Sequence, residues 1–450
     1  MAARLGLVFF PAFDWAISPT HPEREERLLY TKDQLFEEGV LDLPGVVEYR
    51  ARPASFKDVA RVHFCVPQVK SLAGEAHLVA AGSAIHLAEA WRRGEIKRGF
   101  ALVRPPGHHA RRIVHGNRGF CNINNEAIMI EYLRRHYGVR RIAIVDTDVH
   151  HGDGTQDIYY HDPEVLFISL HQDGRTLYPG TGSVSELGGP GAFGYTLNVP
   201  LPPRTNDEGI LYVMEELVLP VLADFKPELV VNSAGQDNHY SDPLADMCFS
   251  AQGYAHLNEL LKPDLCVLEG GYSIEGALPY VNLAIVLALA GYDYSRVREP
   301  DYDPSAFPLT PAHREYIRSL VRDLKRIWEN REELAWQNRP AGDLAEFRRR
   351  VFYDTDGIEE FQEEKVRLCP RCPGYQEISS YALHPDGRRL EVLAISLPLP
   401  ACEKCQQEAR EIYTHHKEKR TPKYAVIYLQ DRPADRYYHY YPDQDREEVL

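Results

Sequence analysis

Short apolar runs separated by longer polar stretches set the pattern of residues 5–295. Leu5–Phe10 and Val46–Tyr49 read as strands, and so do Phe100–Val103, Ile142–Val145, Val165–Leu170, Tyr195–Val199, Leu229–Val231 and Leu265–Leu268. Between them Glu23–Glu38, Ser71–Arg93, Asn124–His136, Asp207–Phe225 and Ala251–Leu261 contain few breakers and read as helices. Continuous apolar strands alternating with helices predict an α/β fold: three layers, a mainly parallel sheet with helices on both faces. The longest apolar run, Ala277–Ala290, falls short of the roughly 20 residues a membrane span needs and reads as a buried helix.

Past residue 295 the pattern changes. Tyr294–Pro311 carries four prolines among acidic residues, a linker composition. Thr310 and Pro311 then open a helix whose Ile317, Leu320, Val321, Leu324, Ile327 and Trp328 recur at helical spacing, which predicts a face docked on the main unit. Glu377–Leu383 and Arg389–Ile395 flank an Asp386-Gly387 turn and predict a hairpin; Tyr424–Leu429 reads as an added strand. The expected division is 1–300 as the main domain, 301–355 as linker and amphipathic helix, 356–430 as a small β module, and 431–450 as an acidic, Tyr-rich tail.

Composition narrows the function classes. The chain has 450 residues, 44% of them hydrophobic, enough for a large core, and a net charge of −15. That charge makes nucleic acid an unlikely partner, because such binding needs a basic surface that displaces counterions from phosphate. Pro11 and Asp14 interrupt the first apolar run, so no secretory signal is expected. Of eight cysteines, Cys65, Cys121, Cys248 and Cys266 are scattered, whereas Cys369, Cys372, Cys402 and Cys405 form two C-x-x-C pairs. Two such pairs around a hairpin predict a structural zinc site of zinc-ribbon type and a reducing, cytoplasmic setting. The small module is expected to serve protein contact or self-association.

The candidate chemistry gathers at strand ends, where ligands sit in parallel sheets. Val145-Asp146-Thr147-Asp148-Val149-His150-His151-Gly152-Asp153 follows one strand, and spacing by two puts Asp146, Asp148 and His150 on one side of an extended backbone. Asp237, after the strand Leu229–Val231, can reach the same rim. Two carboxylates and one imidazole predict a catalytic metal site with an open position, suited to Zn²⁺, with Fe²⁺ or Co²⁺ also fitting. Adjacent His108 and His109 are useful only if separate carboxylates differentiate them, with Asp146 and Asp153 as candidates. Tyr272, on the glycine turn after Leu265–Leu268, is placed to donate to an oxyanion. The basic loop Arg111–Arg118, between the histidine pair and Gly119, could alter the rim or seat an acidic acyl group.

In this order Arg104–Ala110, Gly119-Phe120-Cys121, Asp146–Thr155, Ser169-Leu170-His171, Pro179–Gly182, Gly235–Pro243 and Leu268–Tyr272 resemble the motif set of the zinc-dependent histone deacetylase family, with its arginase-deacetylase fold. Leu268-Glu269-Gly270-Gly271-Tyr272 is similar to the class II and bacterial branch, which includes acetoin-utilisation proteins and acetylpolyamine amidohydrolases. The resemblance implies Asp148, His150 and Asp237 as ligands of a catalytic zinc, and His109 as general base and acid backed by Asp153. It implies His108 as an electrostatic partner paired with Asp146, and Tyr272 as the group that polarises the amide carbonyl. Gly119, Phe120, Tyr178 and Leu244 would line the substrate tunnel, and K⁺ would sit among Asp146, Asp148, His150, Ser169 and Leu170.

The expected activity is therefore hydrolysis of an acetyl-lysine or a related acylated amine. Leu244 stands where members resembling polyamine deacetylases carry a gatekeeper Glu, which places acetylpolyamine or other small-molecule amide hydrolysis second. A ureohydrolase-like di-manganese enzyme would need more paired carboxylates. A non-catalytic acyl-lysine scaffold is opposed by the intact His109, Asp148, His150, Asp237 and Tyr272.

Overall fold

A computed structural model of the chain describes residues 3–300 and 302–450; Asp301, the expected start of the linker, lies outside the described residues. The first part of the chain contributes β1 (Ala3–Phe10), β2 (Val46–Tyr49), β3 (Phe64–Cys65), β4 (Ile96–Val103), β5 (Ile113–Val114), β6 (Ile142–Asp146), β7 (Val165–Gln172), β8 (Thr196–Leu201), β9 (Leu229–Ala234) and β10 (Leu265–Leu268). β3 and β5 pair with each other; the other eight form one sheet in the order β2-β1-β4-β10-β9-β6-β7-β8. Every pairing in it is parallel. The predicted three-layer α/β fold is what forms.

Side-chain alternation explains the two cores. On β6, Ala143 and Val145 enter one apolar cluster while Ile142 and Ile144 enter the other, on the opposite face. Each fully buried aliphatic side chain contributes about 1.5–3 kcal/mol. The helix Leu278–Ala290, buried almost all round, belongs to the first cluster, as its unbroken apolar sequence predicts. The helix Pro311–Glu329 buries Ile317, Leu320, Val321, Leu324 and Trp328 on that cluster too. Thr310 caps it, accepting the His313 N–H at 3.2 Å. No helix among the described residues is long and apolar enough to cross a membrane.

The C-terminal part is larger than the expected hairpin. β11 (Leu344–Tyr353), β12 (Ile358–Arg367), β13 (Gln376–Leu383), β14 (Arg389–Leu397), β15 (Val426–Asp431), β16 (Arg436–Tyr441) and β17 (Arg446–Val449) form a seven-stranded sheet in chain order. The β14–β15 pair is parallel, with the helix Glu403–Glu418 in the connection; the other pairs are antiparallel. The predicted hairpin is β13–β14. Residues expected as linker lie in β11, and those expected as a tail lie in β16 and β17.

Both faces of β14 are covered. Leu393 and Ile395 pack with Ala409 and Tyr413 of the helix, whereas Val392 and Ala394 pack with Phe64, Val66 and Ile113 of the main unit. Hydrogen bonds pin the junction: Tyr428 donates to the Cys65 carbonyl at 3.0 Å and Tyr353 to that of Ile113 at 3.0 Å. The module is thereby docked on the β3–β5 pair, next to the 111–119 loop.

Candidate active site

The five strands whose ends carry the candidate residues, β4, β10, β9, β6 and β7, are consecutive neighbours in the sheet. Their carboxyl ends therefore meet on one rim, as the sequence predicts. β6 ends at Asp146, the loop 147–152 follows, and Asp153 opens the helix Asp153–Tyr159. His150 Nδ1 lies 3.1 Å from Asp148 Oδ1 and 3.0 Å from Asp237 Oδ2. The donor atoms of these three buried residues all lie within 4.8 Å of one another, a set able to hold a metal ion.

Backbone donors aim both carboxylates. Asp148 Oδ2 accepts the Gly270 N–H at 2.7 Å, and Asp237 Oδ1 accepts the Val149 N–H at 2.9 Å. Gly270 must be glycine, since a Cβ there would stand 2.1 Å from Asp237 Oδ2. Two oxygens and a nitrogen, held from outside and open on the cavity side, fit a catalytic divalent ion that keeps a position for water.

The paired histidines are differentiated as the chemistry requires. His108 Nδ1 is 3.1 Å from Asp146 Oδ2, and His109 Nδ1 is 2.9 Å from Asp153 Oδ1. Burial lowers the pKa of His108, but Asp148 and Asp146 outweigh it and hold the group well above its ordinary value. Burial and then the neighbouring His108 push His109 down to about 3, with Asp153 opposing only in part. His109 is thus the neutral imidazole, with Nδ1–H donated to Asp153 and Nε2 left to accept a proton.

The predicted tunnel residues come together. A cavity of about 230 Å³ is lined by His109, Gly119, Phe120, His150, Leu177, Tyr178, Leu244, Tyr272 and Asp354. Phe120 and Tyr272 meet edge to face, with centroids 5.6 Å apart. Gly119 and Phe120 both have left-handed backbone, φ 52° and 67°, and a Cβ on Gly119 would lie 2.4 Å from the His109 ring. The wall can approach the base so closely only with glycine there. Ser169 sits beside Asp146 in register, with Leu170 next along β7.

Several supporting residues lie outside the predicted set. Arg27, fully buried, donates Nε to the Gly271 carbonyl at 2.7 Å and stacks its guanidinium over Tyr272, 5.0 Å from the centroid. Glu23 pairs with Arg27 at 3.0 Å and with Arg104 at 2.7 Å. Glu269 Oε2 accepts the backbone N–H of Gly107 and of His108 at 2.6 and 3.0 Å, fixing the histidine turn. Arg104 and Glu269 fall inside the motifs read from sequence; Arg27 and Glu23 carried no local signal, because their partners are remote in the chain.

The basic loop differs from expectation. Arg111 pairs with Asp153 and Asp157 at 3.1 and 2.7 Å, Arg118 with Asp153 at 2.8 Å, and Arg112 with Gln376 at 2.9 Å and Glu364 at 3.5 Å. Their charges are neutralised within the protein, so the loop offers no seat for an acidic acyl group. Together Arg118, His109 and Arg111 keep the Asp153 carboxyl far below its usual range despite burial.

The second metal cluster lies at strand ends of the C-terminal sheet, between β12 and β13 and after β14. The sulfurs of Cys369, Cys372, Cys402 and Cys405 all lie within 4.8 Å of one another. The first pair precedes β13 and the second opens the helix Glu403–Glu418, so the hairpin β13–β14 lies between them. The Cys405 N–H, with neighbouring thiols, brings Cys402 down to about 7, within reach of the thiolate a metal needs. Four sulfurs match a closed structural zinc site.

Comparison with known proteins agrees with this geometry. Residues 65–286 match the histone deacetylase domain. A probable deacetylase of Archaeoglobus fulgidus is 46% identical over 63% of this chain and 85% of its own length. A histone deacetylase-like amidohydrolase of Pseudomonas aeruginosa is 35% identical over 64% of this chain and 83% of its own. The crystal structure of the HDA15 HD domain superposes with a TM-score of 0.64 at 27% identity, covering 75% of this chain and 98% of that one. Sharing this identity over most of these two relatives' length, and carrying a buried Asp-His-Asp cluster at the rim of its parallel sheet, the chain belongs to the zinc-dependent histone deacetylase family.

Proposed function

We propose that the protein is a metal-dependent deacylase that hydrolyses the amide of an acetyl-lysine or a related acylated amine. The observation that carries this reading is the convergence of His109–Asp153, the Asp148/His150/Asp237 cluster and Tyr272 on one cavity of about 230 Å³. A zinc or iron ion held by Asp148, His150 and Asp237 would supply a polarised water and a positive contact for the acyl oxygen. His109, neutral and backed by Asp153, takes the water proton on Nε2 and returns it to the departing amine. Tyr272, whose hydroxyl stays protonated because burial raises its pKa well above the ordinary value, donates to the oxyanion of the tetrahedral intermediate. His108 supplies positive charge beside the carboxylates. Gly119, Phe120, Tyr178 and Leu244 enclose the substrate stem and exclude water.

K⁺ beneath the metal belongs to the same reading; the register of Asp146 with Ser169 supports a seat there. Acetate release from an acetyl-lysine peptide by zinc- or iron-loaded protein tests the proposal, with His109→Ala as control. Equal turnover by the variant would sink it.

A further inference from the structure

One wall of the cavity is held by the C-terminal module. The segment 113–119, which leads from β5 to Phe120, runs between the module and the main unit, and its alternate residues bond the module. The Ile113 carbonyl accepts the Tyr353 hydroxyl at 3.0 Å, and His115 Nε2 lies 2.8 Å from Ser380 Oγ. Asp356 Oδ2 accepts the Asn117 N–H at 2.6 Å, and Asp354 Oδ1 accepts the Gly119 N–H at 2.9 Å. These partners come from β11, β13 and the turn 354–357 between β11 and β12.

The residues between them face the main unit. Val114 pairs with Cys65 on β3, and Arg118 donates to Asp153 at 2.8 Å while its backbone closes a turn on Cys121. Past Val114 the main unit offers this backbone no strand. Among the described residues, the buried N–H groups of Asn117 and Gly119 find their acceptors on Asp356 and Asp354 and nowhere else. A buried N–H left without a partner is costly, so a segment released by the module would leave this path. Gly116 lets the turn come close, since a Cβ there would stand 2.4 Å from Asp356 Oδ2.

The residues so guided form the wall. Phe120 has a left-handed backbone, φ 67°, uncommon for a non-glycine residue, and its ring meets Tyr272 edge to face. Such a conformation persists only where the surroundings over-determine it.

We infer that the C-terminal module positions the tunnel wall, with Asp356 as a positioning residue: by holding Asn117 it fixes the path on which Gly119 and Phe120 close the cavity beside His109 and Tyr272. This rests on the reading of the cavity as an acyl-amine tunnel. Asp356 is not among the cavity-lining residues, so its effect reaches a substrate only through the wall.

Asp356→Ala removes the acceptor of the Asn117 N–H, whereas Asp356→Asn keeps a carbonyl in its place. Thr355→Ala is the control, on the same turn, exposed, and with no side-chain hydrogen bond among the described residues. The metal-loaded full chain would be assayed for acetate release from an acetyl-lysine peptide and from N-pentylacetamide, which has a stem and nothing beyond it. Binding of N-pentylacetamide and amide hydrogen exchange along the chain would be measured on the same samples.

Asp356→Ala is expected to weaken N-pentylacetamide binding about tenfold and to lower kcat/KM about tenfold on both substrates, mainly through KM, because the base, the oxyanion donor and the metal ligands keep their own bonds. Exchange should quicken at residues 115–120 and stay at the wild-type rate in β11, β12 and β13, with the melting temperature close to that of the wild type. Asp356→Asn should restore binding and exchange, and Thr355→Ala should change neither. Binding or exchange at 115–120 left unchanged by Asp356→Ala overturns the inference, as does a loss confined to the peptide or faster exchange spread through the module. If the wild type releases no acetate, the deacylase reading falls, while weaker N-pentylacetamide binding paired with faster exchange at 115–120 still upholds the role of Asp356.

Discussion

Arg349 on β11 and Asp157 in the helix Asp153–Tyr159 are ion-paired across the junction between the C-terminal sheet and the main unit. The pair is the outer member of an alternating series. Asp157 also receives Arg111 at 2.7 Å, Arg111 holds Asp153 at 3.1 Å, and Asp153 orients His109 at 2.9 Å. Burial would raise Asp157, but Arg111, Arg349 and Arg112 together hold its carboxyl below the usual range. Glu364 on β12, bonded to Arg349 at 2.6 Å, shares the same cations.

Arg349→Met leaves both buried carboxylates one cation short. Unfolding stability is expected to fall by about 3 kcal/mol, seen as a lower denaturant midpoint, because a broken buried pair leaves an uncompensated charge. A midpoint equal to that of the wild type would show that the junction does not depend on this pair.

Removing the proposed base and the proposed oxyanion donor should act on rate rather than on metal content. His109→Ala is expected to cost about 10²–10⁴ in kcat, and Tyr272→Phe about 10²–10³. Elemental analysis of both variants should match the wild type; metal lost along with activity would mean these residues serve the metal site instead.

Two metal equivalents are expected per chain. Asp148→Asn should lose one of them and abolish acetate release, keeping the melting temperature of the C-terminal module. Cys402→Ser should lose the other and lower thermal stability, since a structural ion contributes folding free energy directly. A single metal retained by neither variant would contradict two independent sites.

Acid should destabilise the protein through buried neutral histidines. His63 Nδ1 donates to the Arg111 carbonyl at 2.7 Å while its Nε2 accepts the Asn124 N–H at 2.9 Å, an arrangement available only to the neutral ring. Burial pushes its pKa down from 6.5 to about 4. Between those values the unfolded chain binds a proton that the native state refuses, so stability is complete above pH 6.5 and declines as pH falls toward 4. His63 alone accounts for about 2 kcal/mol of loss by pH 5. His63→Gln should lessen the fall in melting temperature between pH 7 and pH 5 by its own share, His77, His151 and His439, each also lowered to about 4 by burial, carrying the rest; an unchanged slope would assign the acid limb to other groups.

Much of the site is legible in sequence because its signals are local. Asp146, Asp148, His150 and Asp153 fall within one loop, the histidine pair follows β4, and strand ends in a parallel sheet share one rim. β11 and β12 were hidden for the opposite reason: the inner face of β12 carries Glu360, Gln362 and Glu364, so alternation in burial is not alternation in hydrophobicity. Those buried carboxylates make sense only against His115, Arg112 and Arg349. The helix Glu403–Glu418 is equally charged and buries little beyond Cys405, Ala409 and Tyr413.

By itself the sequence determined the α/β alternation and the local clusters Asp146–Asp153 and the two C-x-x-C pairs, since short-range spacing and strand periodicity dictate them; the ligand set completed by Asp237 and the pairs His108–Asp146 and His109–Asp153, 38 and 44 residues apart, came with the family resemblance. Only the tertiary structure decided that Arg111, Arg112 and Arg118 are internally neutralised, that Arg27 stacks on Tyr272, and that Asp354 reaches the tunnel mouth. Asp354 and Gly119 are 235 residues apart in the chain. Such a contact depends on two modules docking through Phe64, Val66 and Ile113 against Val392, Ala394 and Tyr428, and no local pattern encodes where a docked surface will place a distant carboxylate.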